Sequence, residues 1–358
     1  MNPVDDAYSL VLPVLAALDA RAAVSARLSG APRPERYVLV AVGKAAPAMA
    51  LGALDAWGAP RKGLVLTTDG VPADVPLAVR RAGHPLPDER GIAATQEILR
   101  MLQSTTDPTL VLLSGGGSAL LEAPRPPDDL ASLRAGTAER LARGATIAEL
   151  NAWRTTRSLV KGGGLARHVR GPLRTLVVRD LDGPLDRVAS GPTAGTLLEE
   201  VLGPETAVRA ASLAVQELGY TVRHAPFATG EARRLGAHAL DGLPPRTALV
   251  RSAEPTVTLR GSGRGGRSQE LALAAAQAGR GRADWALLAL GTDGVDGPTD
   301  AAGAVVDGTV WGRGAGAALR DNDAYTWLDR RRALVRTGPT GTNVTDLHVV
   351  LTGATFTP

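Results

Sequence analysis

Short apolar runs recur along the chain, each closed by a Gly or Asp turn and followed by a helical stretch. The run YVLVAVGK (37–44) predicts a buried strand, with a helix from Ala45 to Trp57. GLVLTTDG (63–70), TLVLLSGGG (109–117) and RTLVVRDLDG (174–183) predict three more strands. Continuous apolar runs bounded by glycine suit a parallel sheet covered on both faces. Strands alternating with helices suit a doubly wound α/β fold. Residues 128–170 read as mostly helical, 203–218 as a helix and YTVRHA (220–225) as a strand. A short helix and a Gly/Pro-rich exit occupy 230–246, and the pattern then restarts. TVTLRGSG (256–263) reads as a strand, 267–279 as a helix, 285–294 as a strand, 313–320 as a short helix and HVVLTG (348–353) as a strand. The expectation is a doubly wound, mostly parallel α/β domain over 1–240 and a smaller α/β domain over 246–358.

Length agrees with this division, because 358 residues exceed what one core usually serves. The hydrophobic share is 44% and the aromatic share 3%, so Ala, Val and Leu must build the cores. The absence of cysteine excludes disulfides, thiolate metal sites and a cysteine nucleophile. Near the N-terminus, Asp5 and Asp6 stand where a secretory leader carries basic residues. The apolar stretch Val11–Leu18 is too short to span a bilayer, and Pro13 and Asp19 interrupt it. A cytoplasmic location without membrane contact is expected. The net charge of +4 comes from arginines spread among acids, with few aromatics to stack bases. That excludes nucleic acid as the expected partner and suits small anions. Only Lys44, Lys62 and Lys161 are lysines among 40 basic residues, and two of them lie in glycine-rich motifs.

In doubly wound sheets, ligands bind outside the carboxyl ends of the strands. The polar and glycine-rich segments fall there. Gly43-Lys44 opens a helix, where a cation opposes the macrodipole and calls for an anion nearby. It is not a Walker A loop, since Val38 and Ala45 replace the required Gly and Ser or Thr. Ser114-Gly115-Gly116-Gly117-Ser118 can bare backbone N–H groups as an anion nest. Gly261-Ser262-Gly263-Arg264-Gly265-Gly266 matches G-x-G-x-x-G, flanked by Arg267. The acid at dinucleotide spacing, Asp284, precedes its strand instead of ending it, which argues against NAD. Asp293, Asp296 and Asp300 crowd one turn, and Asp293 with Asp296 can hold Mg²⁺. Thr340 and Asn343 sit in a loop dense in donors. Asp180 lies at another strand end. The five histidines show no ligand spacing, and His84 reads as a buried or capping residue.

In this order, the motifs VAVGKAAPAMA (40–50), AGHPLPDERG (82–91), LLSGGGSALLE (112–122), LNAWRTTRSLVKGGGLA (150–166), ASGPT (189–193), GSGRGGRSQELAL (261–273), GTDGVDGPTDAAGA (291–304) and TGPTGTNVTDL (337–347) resemble the glycerate 2-kinase family. The resemblance covers nearly the whole chain. It implies a Rossmann-like N-terminal domain joined to a MOFRL domain, and phosphorylation of D-glycerate to 2-phosphoglycerate with ATP and Mg²⁺. Lys44 and Arg267 fall on the family's lysine and arginine and are the expected catalytic residues, with Asp180. Ser114, Gly115, Gly116, Gly117, Ser118, Lys161, Gly261, Gly263, Arg264, Gly266, Thr340 and Asn343 are the expected substrate- or phosphate-binding residues, and a homodimer is the expected assembly. The alternatives are an NAD(P)H-dependent hydroxypyruvate reductase and a non-catalytic sensor of phosphorylated acids.

Overall fold

The computed structural model describes residues 2–143 and 147–356. They pack as two compact units. The first holds Asp19–Gly203 and Gly341–Asn343, and the second holds the residues up to Leu18, Pro204–Thr340 and those from Val344 on.

The first unit is built on six strands: β1 (Val38–Val42), β2 (Lys62–Thr68), β3 (Ala78–Ala82), β4 (Thr109–Leu113), β5 (Leu173–Val178) and β6 (Leu198–Leu202). They lie in the order β3-β2-β1-β4-β5-β6, and every pairing is parallel. Val38 of β1 stands opposite Lys62 of β2 on one side and Thr109 of β4 on the other. This is the doubly wound order. The chain runs outward from β1 through β3, then restarts on the far side of β1 with β4. Every residue of β1 and β4 is buried, as continuous apolar runs require.

The two edge strands, β3 (AVRRA) and β6 (LEEVL), are not predicted by the apolar pattern. Each is half exposed and carries charge, a usual way to protect a sheet edge. In the stretch 128–170, helices Leu130–Ala142 and Ile147–Arg157 are followed by turns; 144–146 lie outside the described residues. The helix Ala46–Trp57 starts with a proline in its first turn, which suits the missing N–H there. A side chain on its Gly52 would meet the Arg21 carbonyl at 2.2 Å, so the glycine permits close packing of the helix Ala20–Ser29.

The second unit carries β7 (Thr221–His224), β8 (Ala228–Glu231), β9 (Thr247–Thr256), β10 (Trp285–Gly291), β11 (Gly303–Val306), β12 (Leu334–Val335) and β13 (Asp346–Thr352). Their order is β12-β11-β10-β13-β9-β7, with β8 also beside β9. The pairs from β12 to β9 are antiparallel, whereas β7 and β8 run parallel to β9. Helices cover both faces: Leu249 packs into the cluster that holds Leu271 of the helix Arg267–Ala278, while Ser252 bonds Pro204 of the helix Pro204–Glu217. Double coverage makes these antiparallel strands read like parallel ones. The run 256–263 is not a strand. β9 ends where that run begins, Leu259 is 78% exposed, and the N–H groups of Arg260 and Gly261 bond the Asn322 side chain.

Leu66, fully buried in β2, tests the first unit's core. Leu66→Ala is expected to destabilise that unit by about 2–5 kcal/mol. The measurement is the shift of its denaturant midpoint; an unchanged midpoint would contradict the buried placement.

Candidate active site

In the first unit, the topological switch point lies between β1 and β4. The loops that leave the carboxyl ends of these strands are Gly43-Lys44-Ala45 and Ser114–Gly117, and they are bonded to one another. The Ser114 N–H donates to the Val42 carbonyl at 3.0 Å, and the Ser114 hydroxyl accepts the Ala45 N–H at 3.0 Å. The Lys44 N–H donates to the Gly115 carbonyl at 2.9 Å. The loops approach so closely that a side chain on Gly43 would lie 2.2 Å from the Ser114 hydroxyl, and its φ of +124° also favours glycine.

Gly115 has no room for a side chain either, because Asp180 Oδ2 and Asn343 Nδ2 stand 1.9 and 2.1 Å from where its Cβ would be. The Asn343 amide donates to Asp180 at 3.4 Å. Lys44 Cγ and the His84 ring flank Gly116, at 3.3 and 3.5 Å from its Cβ position. The Ser118 and Ser190 hydroxyls pair at 2.9 Å. Asp180, Asn343, His84, Lys44 and Ser118 therefore surround one glycine loop. Among the described residues, no acceptor takes the N–H of Gly115 or Gly116. Two adjacent unpaired N–H groups next to a lysine are able to receive an anion.

His84 is exposed beside this loop, not buried, because its segment leads from the end of β3. Ser190 was not singled out by sequence reasoning. Its signal is the ASGPT motif: Ala189, Ser190 and Gly191 have φ of 55°, 61° and 63°. Two successive non-glycine residues with positive φ mark a costly backbone held in place by its surroundings.

Lys161 is a correction. Its ammonium is fully buried, donating to Glu122 at 2.6 Å and to the Leu121 carbonyl at 3.1 Å. Burial pushes its pKa down, and Glu122 opposes that shift. It is a structural ion pair and is not presented to a ligand.

The second unit tells a different story about its own glycine loop. The Ser262 and Arg264 N–H groups donate to Asp321 and Asp323 side chains, Gly263 to the Asp321 carbonyl, and Gly261 to Asn322. Side chains at Gly261 and Gly263 would collide with Asp321 and Asp323, and one at Gly266 with Asp296. The glycines at 261, 263 and 266 make room for the protein's own carboxylates, and the N–H groups of residues 261–264 are spent inside the protein and not presented to a phosphate. Arg264 is also engaged: its Nε donates to the Pro298 carbonyl at 3.0 Å and its guanidinium lies 4.3 Å from the Tyr325 ring centre. Asp284 pairs with Arg282 and precedes β10, so it does not stand at the carboxyl end of that strand, where a dinucleotide site places its acid.

Arg267 opens the helix Arg267–Ala278 and bonds Asp346, with Nε 2.6 Å from Oδ2 and Nη2 2.9 Å from Oδ1. Burial disfavours its charge, but Asp346 outweighs that and raises its pKa. Asp296 is also a correction. Its two carboxylate oxygens accept the Ser268 and Gln269 N–H groups at 3.1 and 2.8 Å. It therefore caps the helix and is not arranged as a metal ligand. Asp293 differs: Oδ1 accepts the Val295 N–H at 3.1 Å and stands 3.5 Å from the Cβ position of Gly291. Thr340 braces this turn, donating its hydroxyl to the Thr292 carbonyl at 2.5 Å and its N–H to the Asp293 carbonyl at 3.3 Å. Among the described residues no group of three or more acidic, His or Cys side chains is arranged for a metal.

Burial and the charge of Asp346 push Asp296 up to about 7, against its two N–H bonds. Its neutral form is thus favoured by folding, and the stability it contributes is full below about pH 4 and lost as pH rises through about 7. Asp296→Asn is expected to remove this dependence while losing part of the cap. The variant should melt several degrees below the parent at pH 5. The gap should narrow by pH 8; thermal melts over that range check it, and a gap that widens with pH would contradict it.

Comparison with known proteins adds a separate line. Residues 6–202 match a family model described as a domain of unknown function, DUF4147, and residues 247–346 match the MOFRL family. The chain is 36% identical over 379 residues to a D-glycerate 2-kinase of Thermotoga maritima, covering 88% of this chain and 91% of that protein. It is 35% identical over 405 residues to an Agrobacterium vitis protein that carries the name hydroxypyruvate reductase, covering 95% and 92%. A crystal structure of glycerate kinase from Thermotoga maritima superposes with a TM-score of 0.87 at 33% identity, covering 98% of this chain and 99% of that one.

Proposed function

The chain belongs to the glycerate 2-kinase family, and from that premise we propose that it transfers the γ-phosphoryl group of ATP to the 2-hydroxyl of D-glycerate. The observation that carries this reading is the pair of unpaired N–H groups at Gly115 and Gly116, set beside Lys44 at the β1–β4 switch point. Phosphoryl transfer asks a protein for position and charge neutralisation more than for covalent chemistry. Backbone donors and a lysine supply both for an anionic group.

Each residue then has a defined task. The Gly115 and Gly116 N–H groups and Lys44 bind phosphate or carboxylate oxygens. Asp180, held by Asn343, orients the attacking hydroxyl and accepts its proton as the bond to phosphorus forms. Ser118, paired with Ser190, offers a further hydroxyl. Arg267 stabilises charge on the transferring group, its guanidinium held by Asp346. Magnesium usually takes one or two carboxylates and completes its shell with phosphates and water. Asp293 fits that demand and Asp296, spent on the helix, does not. When bound with nucleotide, Mg²⁺ would neutralise phosphate charge, and Asp293 would hold it. Reduction of hydroxypyruvate gains no support from the second glycine loop, whose donors at 261–264 already have partners.

Coupled ADP release tests the proposal. The parent protein should release ADP with D-glycerate and oxidise no NADH with hydroxypyruvate. Lys44→Ala should lower turnover by roughly 10²-fold or more with an unchanged circular dichroism spectrum. ADP release that ignores D-glycerate, or a Lys44→Ala variant that turns over normally, would overturn the assignment.

A further inference from the structure

We propose that Asp346 is a positioning residue for Arg267, gripping the guanidinium by its Nε–Nη2 edge and leaving Nη1 for an anionic ligand. This rests on the reading of Arg267 as a charge-stabilising residue.

Arg267 is electrostatically misplaced. It is the first residue of the helix Arg267–Ala278, where the backbone already presents positive charge. The helix start does not need Asp346, because Asp296 takes the Ser268 and Gln269 N–H groups. Asp346 instead receives Nη2 on Oδ1 and Nε on Oδ2, at 2.9 and 2.6 Å, with the Ser268 hydroxyl 3.4 Å from Oδ2. A second buried carboxylate at one helix end is a poor way to gain stability, since desolvation consumes most of the attraction. It is a good way to fix one planar group in one orientation.

The strand register prepares the position. Asp346 begins β13 and stands between Gly291 of β10 and Ala253 of β9. Both neighbours are small, so the guanidinium can lie across the sheet end. Asp346 itself is 3% exposed and belongs to a strand paired on both sides, which makes it a rigid support. Arg267 keeps 39% of its side chain exposed, and its remaining nitrogen, Nη1, has Glu254 at 4.0 Å, beyond hydrogen-bond reach. The edge held by Asp346 and the nitrogen left outward divide the guanidinium into a fixed half and a working half.

The test is a double-mutant cycle read by steady-state ADP release with D-glycerate. Asp346→Asn keeps the shape and removes the charge. It should lower kcat by about 10²-fold while both KM values stay within about 3-fold, because a small misplacement of a charge-stabilising group acts on turnover. In an Arg267→Ala background the same change should add no further loss. Normal kcat in Asp346→Asn, or a loss that repeats in the Arg267→Ala background, would overturn the positioning role. Arg267→Lys, at a partly exposed side chain, decides the matter even where Asp346→Asn does not fold. The proposal expects its kcat to match that of Arg267→Ala within about 3-fold, since an ammonium cannot present two fixed edges. Turnover near the parent's for Arg267→Lys would show that charge alone suffices and would overturn it. Normal turnover in Arg267→Ala would instead remove the underlying reading of Arg267.

Discussion

The Ser114 hydroxyl stitches the two strand-end loops of the switch point together, and the first unit's site depends on that stitch. It accepts the Ala45 N–H, while the Lys44 N–H goes to the Gly115 carbonyl. These bonds use the donors of the β1 loop and leave those of Gly115 and Gly116 without internal partners. They also force the approach that excludes a side chain from Gly43. Adding Asp180 and Asn343 against Gly115 closes the other side of the same loop. Backbone contact at this distance is available only to glycine, so the Gly-Gly-Gly run is a packing requirement before it is a binding motif. A serine hydroxyl that both donates and accepts is the smallest group able to join the loops without adding charge.

The chain holds two glycine-rich loops between strand and helix, and they do opposite things. The loop at 114–117 presents unpaired donors. The loop at 261–266 gives the donors of residues 261–264 to Asp321, Asn322 and Asp323, and Gly261 and Gly263 let those residues approach. Both fit the same rule when read as letters. The difference is made by residues some sixty positions downstream, and no local spacing reveals it. The same holds for Asp296. It lies in an Asp/Gly turn that reads as a metal site, and its two oxygens are taken by the start of a helix nearly thirty residues earlier in the chain.

Much of the fold was legible because buried strands leave continuous apolar runs. β1, β2, β4, β5 and β10 follow that rule and appear where the runs are. The edge strands β3 and β6 escape it, since half-exposed strands carry Arg and Glu. Strand direction in the second unit was not legible either. Helices on both faces erase the alternation that usually marks antiparallel strands. Of the candidate residues, Lys44, Ser114–Ser118 and Asp180 were legible because they end strands of one sheet, and the structure gathers them. Lys161 was misread because a lysine in a Gly-rich motif looks exposed, whereas Glu122 draws it into the interior. His84, Ser190 and Asp346 were present in quoted motifs, but their partners are distant in sequence, and only the folded chain brings them together.

The central claim is that the unpaired Gly115 and Gly116 amides hold the anionic group, while the amides of Gly261 and Gly263 do not. Selective ¹⁵N-glycine labelling makes both loops visible in one amide correlation spectrum. Titration with 2-phosphoglycerate should move the Gly115 and Gly116 signals strongly downfield and leave those of Gly261 and Gly263 in place. The reverse pattern, with Gly261 and Gly263 moving and Gly115 and Gly116 still, would contradict the assignment of the site to the β1–β4 switch point.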